Sequence, residues 1–277
     1  MMPGPGNKTR RKLLTVGVVL VALLALHNQR LTLTDPENTY PKRLKRALRL
    51  LFNPADTELE KHLVGKGIAC PNATELYRRA AAATVVIQTG GGTGAGVFVG
   101  PDLIVTAKHV VQGGKVEVIL PRLREDNLAE PGNSLPVRRV LPIPGLDLAF
   151  VQVRGNYAHW LPLATRVGED PELMIVGHPN RKYYALQKAR IRKKSLAERT
   201  PFLVFKDNEI FFGNSGGAIV DCEGRLAGVV SMMTHYENSL RKRGIGINAR
   251  TIEETARRLG LSLASFSGEG PPSPRWG

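Results

Sequence analysis

The chain has 277 residues, 42% of them hydrophobic, enough to bury the core of one large domain or two modest ones. Its formal charge of +15 is local: residues 1–50 carry ten basic and two acidic side chains, 181–199 carry eight and one, and the rest is balanced. The β-rich middle has no basic-aromatic surface pattern, so nucleic acid is not an expected partner. Two cysteines are too few for a disulfide-built scaffold and lack the spacing of a zinc site, which leaves one disulfide or two free thiols.

Lys8, Arg10, Arg11 and Lys12 precede an uncharged apolar run from Leu13 to Leu26. This is the pattern of an export signal or an N-terminal anchor, and it assigns residues 1–30 to that role. Fourteen residues fall short of the roughly 20 that span a bilayer, which favours a cleaved signal. No small-x-small cleavage pattern closes the run, which favours an uncleaved anchor. Residues 31–75 form a basic linker. Within it, Leu44, Ala47, Leu48, Leu51 and Phe52 fall at helical spacing among Lys42, Arg43, Lys45, Arg46 and Arg49. Such a helix lies either on an anionic membrane surface or in solvent as part of the linker.

After Ala83 the chain becomes a series of short β-rich runs, beginning at Thr84, Gly96, Leu103, Lys115, Leu148, Leu173 and Leu226, punctuated by Gly, Pro and Asn. Many short strands with little helix between them predict an all-β barrel or sandwich. Thr251 and Glu254 stand at capping-box spacing before an apolar-periodic stretch to about Leu263, predicting a C-terminal helix. The folded domain is expected over 76–265, and the Gly- and Pro-rich residues 266–277 as a disordered tail.

Three patterns carry chemistry. Thr106, Ala107, Lys108 and His109 end one strand; Asp147 heads an apolar strand; Ser215 sits in the glycine-rich turn Gly213 to Gly217 before another strand. A serine hydroxyl is a poor nucleophile at neutral pH unless an imidazole removes its proton, here His109. The imidazole in turn needs a carboxylate to set its tautomer and to stabilise its cation, here Asp147. Backbone N–H groups of Gly213 and Ser215 would form the oxyanion hole, each worth about 3 to 4 kcal/mol to the developing anion. A lone His, Asp or GNSGG string is more often structural, but the three together point to acyl transfer. His27, His62, His159, His178 and His235 lack such surroundings and read as surface or turn residues. No metal or organic cofactor is implied.

These residues resemble the trypsin-like peptidases, specifically the Deg/HtrA-type branch. The resemblance covers about 84–250: a glycine-rich entry at Gly94 to Val97, the box Thr106 to Val111, the box Asp147 to Val153, a turn at Gly177 to Pro179, Gly213 to Asp221, and a late run at Gly244 to Ile247. It implies two six-stranded antiparallel β-barrels with a C-terminal helix, His109 and Asp147 coming from the first barrel and Ser215 from the second. Two departures stand out. Too few residues follow Ala249 for a PDZ domain, so substrate delivery is expected to differ from the family pattern. Asn214 also replaces the Asp that in digestive relatives pairs with a newly cut N-terminus, so activation by propeptide cleavage is not expected.

The function implied is a serine endopeptidase acting on protein or peptide substrates, held at the membrane through the N-terminal segment on the extracytoplasmic, periplasmic side. The alternative is a catalytically idle module of the same fold, docking an anionic partner through its basic 181–199 segment, which otherwise reads as a solvated hairpin. The primary specificity pocket is expected from Glu209, Ile210, Phe211, Ser231, Met233 and Ile245. Its apolar lining favours small or medium aliphatic residues, with Glu209 directed to solvent. In an oxidising compartment, Cys70 and Cys222 would join the segment before the first barrel to the second.

Overall fold

In the computed structural model, the residues described are 68, 70, 72–124, 128–166, 172–192, 200–206, 214–235 and 242–264, with main chain alone at 232–235 and 242–243. The chain divides into Met1–Thr57 and Glu58–Gly277, and every described element belongs to the second unit. The expected anchor at 1–30, the basic helix of 42–52 and the tail at 266–277 lie outside the described residues. Among those described, no helix is long and apolar enough to cross a membrane.

The first element is one the strand pattern did not announce, helix α1 at Ala73–Ala83. Its alanine-rich sequence is a strong helix former, and the small Ala80, Ala81, Ala82 and Ala83 let it lie tightly against the core. Thr84 ends it with its hydroxyl on the Ala80 carbonyl at 2.7 Å, and the chain runs directly into β1. Tyr77 and Leu76 are buried on its inner face, each worth roughly 1.5 to 3 kcal/mol of burial.

The first sheet holds β1 (Thr84–Thr89), β2 (Gly92–Phe98), β3 (Leu103–Thr106), β4 (Glu117–Leu123), β5 (Ala129–Leu135), β6 (Val137–Pro142) and β7 (Ala149–Val153). All its pairs are antiparallel, in the order β5-β4-β1-β2-β3-β7-β6. Seven strands appear where six were expected because the run 129–142 breaks at Pro136, which has no N–H to offer a ladder. Its two halves stand at opposite ends of the sheet order, so this single break brings the ends of the sheet together.

The second sheet holds β8 (Leu173–Gly177), β9 (Ala185–Ala189), β10 (Phe202–Val204), β11 (Ala218–Asp221), β12 (Leu226–His235) and β13 (Lys242–Asn248), in the order β10-β13-β12-β11-β8-β9. Its outer strands meet just past their ends. An Ile191–Phe205 bridge is flanked by Arg192 N–H to Val204 O and Lys206 N–H to Arg190 O, both at 2.8 Å. Ile175, Ala189, Ile191, Phe205, Ile219 and Val230 contribute to the core inside this barrel. A larger cluster containing Val97, Phe150, Met174, Val220, Leu226 and Ile252 packs the two sheets and both helices together.

Helix α2 spans Ala249–Arg258, starting earlier than the capping box predicted. Asn248 is the N-cap: its Oδ1 accepts from Thr251 N–H at 2.8 Å, so Thr251 is inside the first turn. At the other end Gly260, with φ 65°, closes a Schellman turn with Leu261 N–H on Ala256 O and Gly260 N–H on Arg257 O. The chain then returns to the first sheet, where Ala264 N–H donates to Val99 O at 2.9 Å. A disulfide joins Cys70, ahead of α1, to Cys222, just past β11.

Candidate active site

Register places the first two site residues together. β3 pairs with β7 so that Thr106 faces Ala149, putting His109 three residues beyond one strand end and Asp147 two residues before the other. Beyond Thr106 the chain tightens into a 3-10 turn at Lys108–Val111 that turns His109 toward Asp147. On the Asp147 side, Gly145 at φ 76° makes the reversal, closed by Ile143 N–H to Leu148 O at 2.9 Å.

Asp147 Oδ1 accepts from the His109 backbone N–H at 3.0 Å, and its two oxygens lie 3.1 and 2.9 Å from His109 Nδ1. A carboxylate can only accept here, so Nδ1 carries the proton and Nε2 keeps its lone pair in the neutral ring. Ser231 Oγ donates to Asp147 Oδ2 at 2.6 Å. Burial pushes the Asp147 carboxyl up. The hydrogen bonds from the His109 ring, Ser231 and the His109 backbone, with the charge attraction of His109, outweigh it and bring the pKa down to about 2. The side chains differ in access, 44% exposed for His109 and 10% for Asp147, so the ring faces the solvent side while its carboxylate is covered.

Ser215 occupies a turn closed by Gly217 N–H to Asn214 O at 2.8 Å, with Gly216 at φ 80°, the position where a type II turn calls for glycine. The turn is stitched to both sheets. Ser215 O accepts from Ala95 N–H of β2 at 2.8 Å, and Gly216 N–H donates to Val230 O of β12 at 2.7 Å. Val230 immediately precedes Ser231, whose hydroxyl holds Asp147. Gly94 lies between the serine and histidine segments: a Cβ on it would stand 2.6 Å from Val110, the neighbour of His109, and 3.1 Å from Ser215 O. Gly94 thus adjoins both the Ser215 turn and the segment that carries His109, and β12 links that turn to Asp147 through Val230 and Ser231.

Other expected site residues fare differently. Gly213, Glu209, Ile210 and Phe211 lie outside the described residues, and the Met233 side chain is not described. Ile245 is buried in β13 opposite Val204. Ser231, expected in the specificity pocket, commits its hydroxyl to Asp147, a role that sequence reading did not assign.

His178 lies in a turn, one of the two expected settings, but not at the surface. It is 1% exposed, with Nε2–H donating to Val85 O of β1 at 3.1 Å and Nδ1 accepting from Tyr184 N–H at 3.0 Å. Tyr77 of α1 donates its hydroxyl to Tyr184 O at 3.0 Å, so one buried cluster ties α1, β1 and the β8–β9 turn. Burial drives the His178 pKa down to about 4, against the opposing pull of its bonds to Val85 and Gly177.

Residues 94–229 match the family model of the trypsin-like peptidase domain. The chain carries a trypsin-like peptidase domain over that segment. Two solved structures share the fold of this domain. A serine-to-alanine mutant of Rv3671c from M. tuberculosis H37Rv, in an inactive form, gives a TM-score of 0.54 at 19% identity, covering 71% of this chain and 97% of that one. The Rv3671c protease in an inactive form gives 0.52 at 20% identity, covering 69% and 98%. No curated protein matches the sequence.

Proposed function

We propose that this protein is a serine endopeptidase that cleaves peptide bonds through an acyl-enzyme on Ser215. The observation that carries the reading is the Asp147 carboxylate, which accepts from both the ring and the backbone of His109 and from Ser231. With Nδ1 so held, His109 Nε2 takes the Ser215 proton as Oγ bonds to the scissile carbonyl carbon. The tetrahedral oxyanion is met by the N–H groups of Ser215 and Gly213. His109 then gives the proton to the leaving amine as the C–N bond breaks, and water repeats the sequence to release the acid. Asp147 stays ionised and stabilises the imidazolium between the two transfers.

The enzyme is proposed to work on the extracytoplasmic side, held by its N-terminal segment. The basic residues ahead of the apolar run support this, as does the Cys70–Cys222 disulfide, a bond that persists in oxidising compartments. The apolar character of Ile245 supports cleavage after small or medium aliphatic residues.

Hydrolysis of fluorescent casein by purified full-length protein tests the reaction. Wild type is expected to cleave it, and Ser215→Ala and His109→Ala to lose turnover by on the order of 10⁶ while remaining folded. Cleavage by Ser215→Ala at the wild-type rate would overturn the assignment, and a folded but inert wild type would favour the idle binding module. Full-length protein found freely soluble and unprocessed in the cytosol would reject the location.

A further inference from the structure

Gln187 is a polar side chain on an apolar face. In β9 it stands directly opposite Ile175 and two residues before Ala189, so it shares their face, the one that lines the second barrel. The residue is half-buried, and the part of its amide removed from water costs free energy unless it is hydrogen-bonded. Its Oε1 accepts from Asn214 Nδ2 at 2.5 Å. Asn214 is completely buried, and its Oδ1 has no hydrogen-bond partner among the described residues. Gly177 at the end of β8 makes room for that oxygen: a Cβ there would lie 2.7 Å from Asn214 Oδ1.

Asn214 is thus held at two points, its side chain by Gln187 and its carbonyl oxygen by Gly217 N–H. Ser215 follows immediately. An Asp at position 214 would demand a cationic partner, such as a chain terminus. The amide needs only an acceptor, and β9 supplies one from within the barrel.

We propose that Gln187 is a positioning residue for Ser215: by fixing the Asn214 amide it sets the peptide plane that presents the Ser215 hydroxyl and N–H to the scissile carbonyl. The proposal rests on Ser215 being the nucleophile. Packing alone would be served by an apolar residue at 187. What the Gln187 bond adds is the orientation of the turn.

The test is the second-order rate at which a fluorophosphonate labels full-length wild type, Gln187→Met and Gln187→Glu, with melting temperatures measured alongside. Methionine keeps the length and removes the acceptor; glutamate keeps both. Gln187→Met is expected to label about tenfold or more slowly without a matching fall in melting temperature, and Gln187→Glu to stay within about threefold of wild type. Should Gln187→Met fail to fold, Gln187→Asn, which draws the acceptor back by one methylene, takes its place with the same expected loss. Wild-type labelling by the acceptor-deficient variant, or equal loss in it and in Gln187→Glu, would overturn the positioning role while leaving Ser215 in place. A wild type that takes no label, or takes it elsewhere than Ser215, would overturn the nucleophile assignment and this proposal with it.

Discussion

Ser231 donates its hydroxyl to Asp147 Oδ2 at 2.6 Å, so a strand of the second sheet helps hold a carboxylate presented by the first. Hydrogen bonds to charged groups are worth about 1.5 to 3 kcal/mol. Ser231→Ala is therefore expected to lower kcat/KM about tenfold, measured on casein-derived peptides, with the fold retained. The Asp147 pKa of about 2 lies below its ordinary 3.8, so ionised Asp147 contributes roughly 2 kcal/mol to stability above pH 4. That contribution is lost as pH falls through about 2. Urea unfolding at pH 5 and at pH 2 should show the stability gap between wild type and Ser231→Ala narrowing at the lower pH.

His178 sets a second acid limit at higher pH. Its folded pKa of about 4 lies below the usual 6.5, so the unfolded chain binds the extra proton between those values. Stability is full above pH 6.5 and falls as pH drops through 4, by roughly 3 kcal/mol in all. In His178→Gln, this part of the slope should vanish from denaturant titrations between pH 7 and 4. An unchanged slope would place the titrating group elsewhere.

The Cys70–Cys222 bond spans a sequence separation of 152 residues. By the chain-entropy estimate, closing a loop of this length stabilises the fold by about 5 kcal/mol. Replacing both cysteines by serine is expected to lower the melting temperature by on the order of 10 °C in calorimetry. Thiol titration of denatured, unreduced protein should find neither cysteine free.

Gly216 cannot take a side chain. A Cβ there would lie 1.9 Å from Ala95 O and 2.3 Å from Thr106 Oγ1, at a φ of 80° that L residues rarely adopt. Gly216→Ala is expected to cost more than about 3 kcal/mol in unfolding free energy and to abolish proteolysis together with the fold.

Legibility in the sequence followed how local each cause was. β1, β3, β7 and β12 could be read because runs of Val, Ile and Leu declare strands by themselves. β5 could not: Pro131, Gly132 and Asn133 are poor strand formers, and only pairing with β4 makes it one. α1 was hidden because its alanines abut β1 without a breaker. For α2 the Thr251–Glu254 spacing was a real signal, but the Asn248 side chain reached the Thr251 N–H and took the cap. His109, Asp147 and Ser215 were legible because each sits in a short, distinctive string. Ser231 was not, since its partner lies 84 residues away, and neither was His178, whose burial depends on Tyr184 and on a strand 93 residues upstream.

The central claim is that His109, Asp147 and Ser215 work as one nucleophilic unit, and intact-mass measurement after fluorophosphonate treatment, followed by peptide mapping, tests it most directly. Full-length wild type should gain one label per chain, on Ser215. His109→Ala should label far more slowly, and Ser215→Ala should gain none. A folded wild type without label, or a label that survives in Ser215→Ala, would contradict the account.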